Sequence, residues 1–210
     1  MTVPGRGLYA ILDAGLVPPA ARAEAARAAI AGGAVMLQYR DKTADARTRR
    51  RSADTLQTCA REAGIPLLIN DDVTLAAAVG AAGVHLGQGD AGIAAARRHL
   101  GADAIVGVTC HDRLELARAA DAAGADYLSF GRFFPSATKP GAPGADPAVL
   151  TAARAAFDRP IVAIGGVNAD NGATLLAAGA DLLAVAGAVF AAGDVRAAAG
   201  RITDLFRRYP

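Results

Sequence analysis

The sequence predicts a single (β/α)8 barrel over residues 1–210, with its active site at the C-terminal ends of the strands. Eight short, β-rich apolar runs recur along the chain, alanine-rich segments with helical periodicity separate them, and glycine-containing turns introduce most of the runs. Runs that are apolar throughout read as strands covered on both faces of a parallel sheet. Eight such units in 210 residues favour closure into a barrel over an open sheet. With 53% hydrophobic residues, chiefly alanine, 24 glycines and 5% aromatics, the composition suits many small helices packed closely on a sheet.

In chain order the predicted strands are 8–12, 35–39, 66–69, 84–86, 105–108, 127–130, 161–164 and 182–185. Between them, sets such as Ala53, Leu56, Ala60 and Ala63, or Val149, Leu150, Ala153 and Phe157, have helical spacing. Ala-Ala-Gly at 81–83, 122–124 and 177–179 is expected to end a helix before the next strand, where a left-handed cap favours glycine. The Pro/Gly-rich stretch 134–147 is too short to divide domains and follows the sixth strand, where a barrel carries active-site loops; a flap is expected there.

A net charge of +2, with arginines dispersed and no interleaved aromatics, argues against a nucleic-acid partner. The densest basic cluster, Arg47 to Arg51, reads as a solvated helix face. Two cysteines, Cys59 and Cys110, form neither a disulfide framework nor a metal-ligand spacing, which fits a reducing compartment. No apolar run reaches membrane length and no signal-like segment opens the chain, so a soluble cytoplasmic protein is expected, with no membrane partner. A homo-oligomer is compatible with the sequence. His85 reads as a residue packed or hydrogen-bonded in the barrel, His99 as a helix-end residue and His111 as a loop residue near the mouth.

Chemistry in this fold belongs to the polar residues that follow each apolar run. The second strand ends in Gln38, Arg40 and Lys42, alternate residues that point the same way and offer one amide and two cations. The third ends in Asn70-Asp71-Asp72 and the fourth runs into Gly87-Gln88-Gly89-Asp90. Asp71 and Asp90, on adjacent strand ends, can share one hard cation such as Mg²⁺; each, like Asp72, could instead cap the next helix. After the sixth strand, Ser136, Thr138 and Lys139 make an anion cradle. Gly165-Gly166 and Ala186-Gly187 let backbone N–H groups approach a phosphate after strands seven and eight. Arg40, Lys42, Lys139 and one Mg²⁺ against Asp71 and Asp90 leave roughly +3, a site suited to a diphosphate.

Six stretches, in this order, closely resemble the thiamin-phosphate synthase family: Leu8-Tyr9-Ala10-Ile11-Leu12-Asp13, Leu37-Gln38-Tyr39-Arg40-Asp41-Lys42, Ile69-Asn70-Asp71-Asp72, Val84-His85-Leu86-Gly87-Gln88-Gly89-Asp90, Ser136-Ala137-Thr138-Lys139 and Ala163-Ile164-Gly165-Gly166. The resemblance implies a transferase of thiamine biosynthesis that joins hydroxymethylpyrimidine diphosphate to a thiazole ethyl phosphate. Pyrophosphate leaves with the help of Mg²⁺, through a pyrimidinylmethyl cation. It further implies that Gln38, Arg40, Lys42, Asn70, Thr109 and Lys139 hold the pyrimidine diphosphate, with Arg40, Lys42 and Lys139 as the catalytic cations. Asp71 and Asp90 would hold the metal, and Ser136, Thr138, Gly166, Ala186 and Gly187 the thiazole phosphate.

Thr109 stands where a serine is usual, Ser136 where a threonine is usual, Gly89 replaces an acidic residue, Arg132 a proline, and Ala186-Gly187 lacks a serine hydroxyl. Three rival readings are weighed. A related thiazole tautomerase is opposed by Asp90 and by the lack of histidine at Arg132. A Schiff-base aldolase on Lys42 or Lys139 leaves the carboxylate pair unexplained, and a phosphate-binding module predicts binding without turnover.

Overall fold

The computed structural model describes residues 1–90, 92–135 and 144–209. Eight parallel strands form the barrel: β1 Gly7–Asp13, β2 Ala34–Arg40, β3 Leu67–Asn70, β4 Gly83–Leu86, β5 Ile105–His111, β6 Tyr127–Phe130, β7 Ile161–Ile164 and β8 Leu182–Val185. Each pairs with its successor and β8 pairs with β1, so the sheet closes in strict chain order. Around it lie α1 Arg22–Ala31, α2 Ala46–Ala63, α3 Val73–Val79, α4 Ile93–Leu100, α5 Leu114–Ala122, α6 Ala148–Ala156, α7 Gly172–Ala177, the short α8 Gly187–Phe190 and α9 Val195–Arg208. Among the described residues no helix is long and apolar enough to cross a membrane.

Every expected strand is present, and four reach further toward the site than their apolar runs. β1, β2 and β3 continue into Asp13, Arg40 and Asn70. β5 runs to His111 because Thr109 and His111 stay paired with Ser129 and Phe130 of β6 across a bulge. A polar residue at a strand end breaks an apolar pattern without breaking the backbone ladder, so hydropathy alone stops too early.

Alternation along each strand divides the core in two. Outward side chains such as Leu8, Leu37, Ile69 and Leu128 pack with the helices, where Ala53, Leu56, Ala76, Leu150 and Ile202 face them. Inward ones, among them Tyr9, Met36, Leu68, Ile105, Tyr127, Val162 and Leu182, fill the barrel. Of the helical sets expected to be covered, Ala63 is exposed, being at the end of α2.

The Ala-Ala-Gly reading holds at two of three places. Gly124 and Gly179 follow α5 and α7 with φ of 87° and 109°. Gly83, however, is already the first residue of β4, and the left-handed cap of α3 is Gly80 (φ 63°). Gly83 is small for another reason: a Cβ there would fall 1.8 Å from the Ile105 carbonyl oxygen.

The other two copies extend to Ala-Gly-Ala-Asp at 123–126 and 178–181, and identical sequence builds identical structure. Asp126 accepts from the buried Val106 N–H (2.7 Å) and pairs with Arg97 of α4 (3.0 Å). Asp181 accepts from the buried Ile161 N–H (2.7 Å) and pairs with Arg154 of α6 (2.7 Å). Each aspartate satisfies an amide at a strand start that the ladder leaves without a partner. Replacing either by alanine strands that amide, so Asp126→Ala and Asp181→Ala should each lower stability by about 1–3 kcal/mol, read as an earlier midpoint in urea unfolding.

Candidate active site

A cavity of about 720 Å³ opens at the C-terminal ends of the strands. Its wall brings together eleven residues singled out from the sequence: Gln38, Arg40, Lys42, Asn70, Asp71, Asp90, Thr109, Gly165, Gly166, Ala186 and Gly187. Ser136, Thr138 and Lys139 lie outside the described residues.

The two helix-cap alternatives separate cleanly. Asp72 caps α3, accepting from Leu75 N–H at 2.8 Å, and also meets Arg49 at 3.2 Å. Asp71 is thereby free of capping; its φ of 63° is a left-handed conformation uncommon for a non-glycine residue, and its carboxylate pairs with Lys42. Asp90 does not cap α4, whose N-cap is Gly92; it turns back on its own loop to accept from Gly87 N–H at 2.6 Å. Burial raises the Asp90 carboxyl above its ordinary pKa, and a hydrogen bond and the charge of Asp71 raise it further, against the Gly87 amide and Lys42. Two carboxylates this close are short of positive charge.

Arg40 is paired as well, with the nearly buried Asp13 at the end of β1. Asp13 was missed from the sequence, although the rule applied to the other strands, the polar residue directly after the apolar run, points to it. Asp112, Arg113 and Arg132 line the same wall. They and Asp13 add two charges of each sign, so the roughly +3 expected for a metal-loaded site is unchanged. The described lining residues alone are balanced: Asp13, Asp71, Asp90 and Asp112 against Arg40, Lys42, Arg113 and Arg132.

Behind the strand end that carries Arg40 and Lys42 stands a second arrangement that sequence reasoning passed over. Asp41, between those two cations, points the other way, its side chain 1% exposed; the side chain of Arg22 of α1, 4% exposed, meets it at 3.5 Å. Arg22 also donates to Tyr39 Oη (3.0 Å), Ser52 Oγ (2.5 Å) and the Val17 carbonyl (3.1 Å). Asp41 accepts from Tyr39 Oη (2.8 Å) and from the Thr43 and Ala44 amides (both 3.0 Å). Burial pushes the Asp41 carboxyl up, but the Ala44 and Thr43 amides, the Tyr39 hydroxyl and Arg22 outweigh it, and the group sits below its ordinary pKa of 3.8. Burial also takes the Tyr39 phenol up to about 12. No local pattern marks Arg22, an arginine in an alanine-rich helix, as buried.

The glycines after strands seven and eight differ in kind. Gly165 and Gly166 have φ of 98° and 67°, and Cβ atoms there would come within 2.1 Å of Arg132 Cβ and 2.4 Å of the Pro135 carbonyl oxygen. Their first role is to let residues 132–135 lie against the end of β7. Among the described residues, nothing beyond its chain neighbours and its own helix backbone stands within 4 Å of where a Gly187 Cβ would be, so close packing among them does not explain that glycine. Of the remaining expectations, His85 is hydrogen-bonded inside the barrel and also lines the cavity, and His111 ends β5 at the cavity wall rather than lying in a loop. Cys110 lies within β5, and both cysteines are buried and free. Within the Arg47–Arg51 cluster, Arg49 is the exception to a solvated face, being half-buried against Asp72.

Comparison with known proteins converges on one family. Residues 8–189 match the family model described as thiamine monophosphate synthase. The chain is 53% identical over 200 residues to the thiamine-phosphate synthase of Chromobacterium violaceum, covering 95% of this chain and 96% of that one. It is 51% identical over 205 residues to that of Marinobacter nauticus, covering 97% and 92%. Among solved structures, the thiamine phosphate pyrophosphorylase from Pyrococcus furiosus superposes with a TM-score of 0.87 at 35% identity, covering 98% of this chain and 97% of that one.

The Arg22–Asp41 pair makes a prediction of its own. Removing one partner leaves a buried charge uncompensated, so Asp41→Ala should cost about 3–5 kcal/mol at pH 7. Because the folded pKa is depressed, the charge-linked part of this contribution is present above the unfolded value of 3.8 and is lost as pH falls through the lower folded value. The gap between the urea unfolding curves of wild type and variant should therefore narrow in acid.

Proposed function

We propose, from the premise that this chain belongs to the thiamine monophosphate synthase family, how its cavity carries out the family's reaction. The activity is thiamine-phosphate synthesis, a transferase reaction on small-molecule substrates. In the reading offered here, hydroxymethylpyrimidine diphosphate binds with its ring toward Gln38, Asn70 and Thr109 and its diphosphate toward Arg40, Lys42 and Lys139. The thiazole phosphate is held by Ser136, Thr138, Gly165, Gly166, Ala186 and Gly187.

The observation that carries this reading is the carboxylate pair, Asp71 and Asp90, on adjacent strand ends with Lys42 beside them. Its chemistry fits Mg²⁺, which takes one or two carboxylates and completes its shell with phosphate oxygens and water. Bound there, the ion supplies positive charge to the diphosphate oxygens as they leave. The residues do the rest. Arg40 and Lys42 exchange Asp13 and Asp71 for diphosphate oxygens and neutralise the charge that develops as the carbon–oxygen bond breaks. Ile11, Ile164 and Val167, in the cavity wall, keep water from the pyrimidinylmethyl cation until the thiazole nitrogen attacks it. The reaction requires no protein nucleophile, and no side chain has to abstract a proton from carbon.

Purified protein given both substrates should form thiamin phosphate and pyrophosphate with Mg²⁺ present and should stop when the metal is chelated; turnover that survives chelation contradicts the metal assignment. Asp71→Ala and Asp90→Ala should each abolish most Mg²⁺-dependent turnover while circular dichroism shows an intact fold. Since Asp90 must lose its proton to bind metal and holds it more tightly than an ordinary carboxyl, the Mg²⁺ concentration for half-maximal rate should rise as pH falls, beginning above the usual carboxylate range. Lys139→Ala should reduce kcat by roughly 10²-fold, the effect of removing one preorganised charge-stabilising donor.

A further inference from the structure

Beneath the cavity a row of buried polar side chains crosses the barrel. Gln38 Nε2 lies 2.5 Å from Tyr9 Oη, Tyr9 Oη 3.1 Å from Tyr127 Oη, Tyr127 Oη 2.7 Å from His85 Nδ1, and His85 Nε2 2.8 Å from Thr109 Oγ1. Gln38, Tyr9, Tyr127 and His85 are 2%, 1%, 0% and 7% exposed. The chain has made room for this row. A Cβ on Gly107 would fall 1.8 Å from Tyr127 Cζ, so glycine there is what allows the phenol to reach the barrel axis. The two tyrosine rings meet edge to face at 6.0 Å, and His85 stacks on Tyr127 at 5.7 Å.

A buried hydroxyl hydrogen needs an acceptor, and with the next oxygen or nitrogen of the row taking that part, the direction of every hydrogen bond follows from one end. An amide NH₂ only donates, so the Tyr9 oxygen accepts from Gln38. Burial holds both phenols above their ordinary pKa, so each keeps its hydrogen. Tyr9 then donates to Tyr127, and Tyr127 donates to His85 Nδ1. The neutral ring carries its own hydrogen on Nε2 and donates it to Thr109 Oγ1. That leaves the Thr109 hydrogen to point at the cavity, which Thr109 lines. At the opposite end Gln38, also in the wall, keeps its carbonyl oxygen as an acceptor.

We propose that Tyr9, Tyr127 and His85 are positioning residues forming a one-way hydrogen-bond chain, which commits Thr109 to donating and Gln38 to accepting at two walls of the ring pocket. This rests on the functional reading above for the ligand's identity. An aminopyrimidine, which carries N–H donors beside a ring-nitrogen lone pair, is read by such a pair of walls in one orientation. A pocket whose hydroxyls were free to reverse would accept the flipped ring as well.

The test begins without substrate. In protein labelled with ¹⁵N-histidine at neutral pH, with His85 assigned by comparison with His99→Gln and His111→Gln, His85 should be the neutral tautomer protonated at Nε2. Protonation at Nδ1 alone, or an imidazolium, overturns the chain. In the assay, Tyr127→Phe should lower kcat/KM for the pyrimidine diphosphate roughly tenfold while the KM for the thiazole phosphate is unchanged. Thr109→Val should do the same, and Thr109→Ser should restore the wild-type constant. Because the tyrosine acts through Thr109, the double variant Tyr127→Phe/Thr109→Val should be no worse than the poorer single variant. Effects that multiply, or a thiazole KM that moves equally, overturn the proposal. Absence of any thiamin phosphate from wild type instead refutes the functional reading, which the tautomer measurement does not touch.

Discussion

The pairing of β8 with β1 constrains everything else in this molecule. Closure removes the two open edges that a sheet would present, and because all eight strands run the same way it gathers their C-terminal ends on one rim. It also forces alternate side chains of every strand into a shared interior. On β2 these are Met36, Gln38 and Arg40, and on β1 they are Tyr9, Ile11 and Asp13. Both series begin deep in the barrel and end in a charge at the rim. The gradient from core to site is thus written along single strands rather than assembled from separate loops.

Charge balance at the rim has a mechanistic consequence. Arg40 and Lys42, the cations suited to a diphosphate, already hold Asp13 and Asp71. A diphosphate arriving alone would have to displace carboxylates that remain beside it, and the attraction gained would be offset by the repulsion left behind. On the proposed assignment Asp71 and Asp90 would hold a divalent cation, and Lys42, now paired with Asp71, would then be released toward the diphosphate. Metal and diphosphate binding would thus be coupled through one lysine, so that a site made of balanced ion pairs would still suit a highly charged substrate.

How much of this was legible in the sequence depends on whether a residue's role is local. The strands were, because an apolar run flanked by glycine needs no knowledge of its neighbours. The places of Arg40, Asn70 and Asp71 on the cavity wall were, because these residues directly follow such runs, and that of Gln38 was, because it alternates with Arg40. The division of labour between Asp71 and Asp72 was not: both types cap helices, and only the left-handed backbone at Asp71 sends one carboxylate to the cavity and the other to α3. Arg22 and Asp41 were invisible as a pair, since they come from different elements and neither stands in an unusual local pattern. Tyr9 and Tyr127 read as ordinary strand aromatics, 118 residues apart, until the closed barrel brings their hydroxyls together.

Arg132 illustrates how a departure from a family pattern can be absorbed. The backbone of 133–134 is held on β7 by Phe133 N–H to the Ile164 carbonyl (3.3 Å) and Phe134 N–H to the Gly165 carbonyl (3.0 Å). Ala145 N–H returns to the Arg132 carbonyl at 2.7 Å, so the segments on either side of 136–143 are tied to each other at the cavity wall. None of these bonds uses the Arg132 side chain or its amide hydrogen, the one donor that a proline would lack. The exchange of proline for arginine therefore leaves the tether intact and adds a cation to the cavity lining, one of the four that balance its four carboxylates.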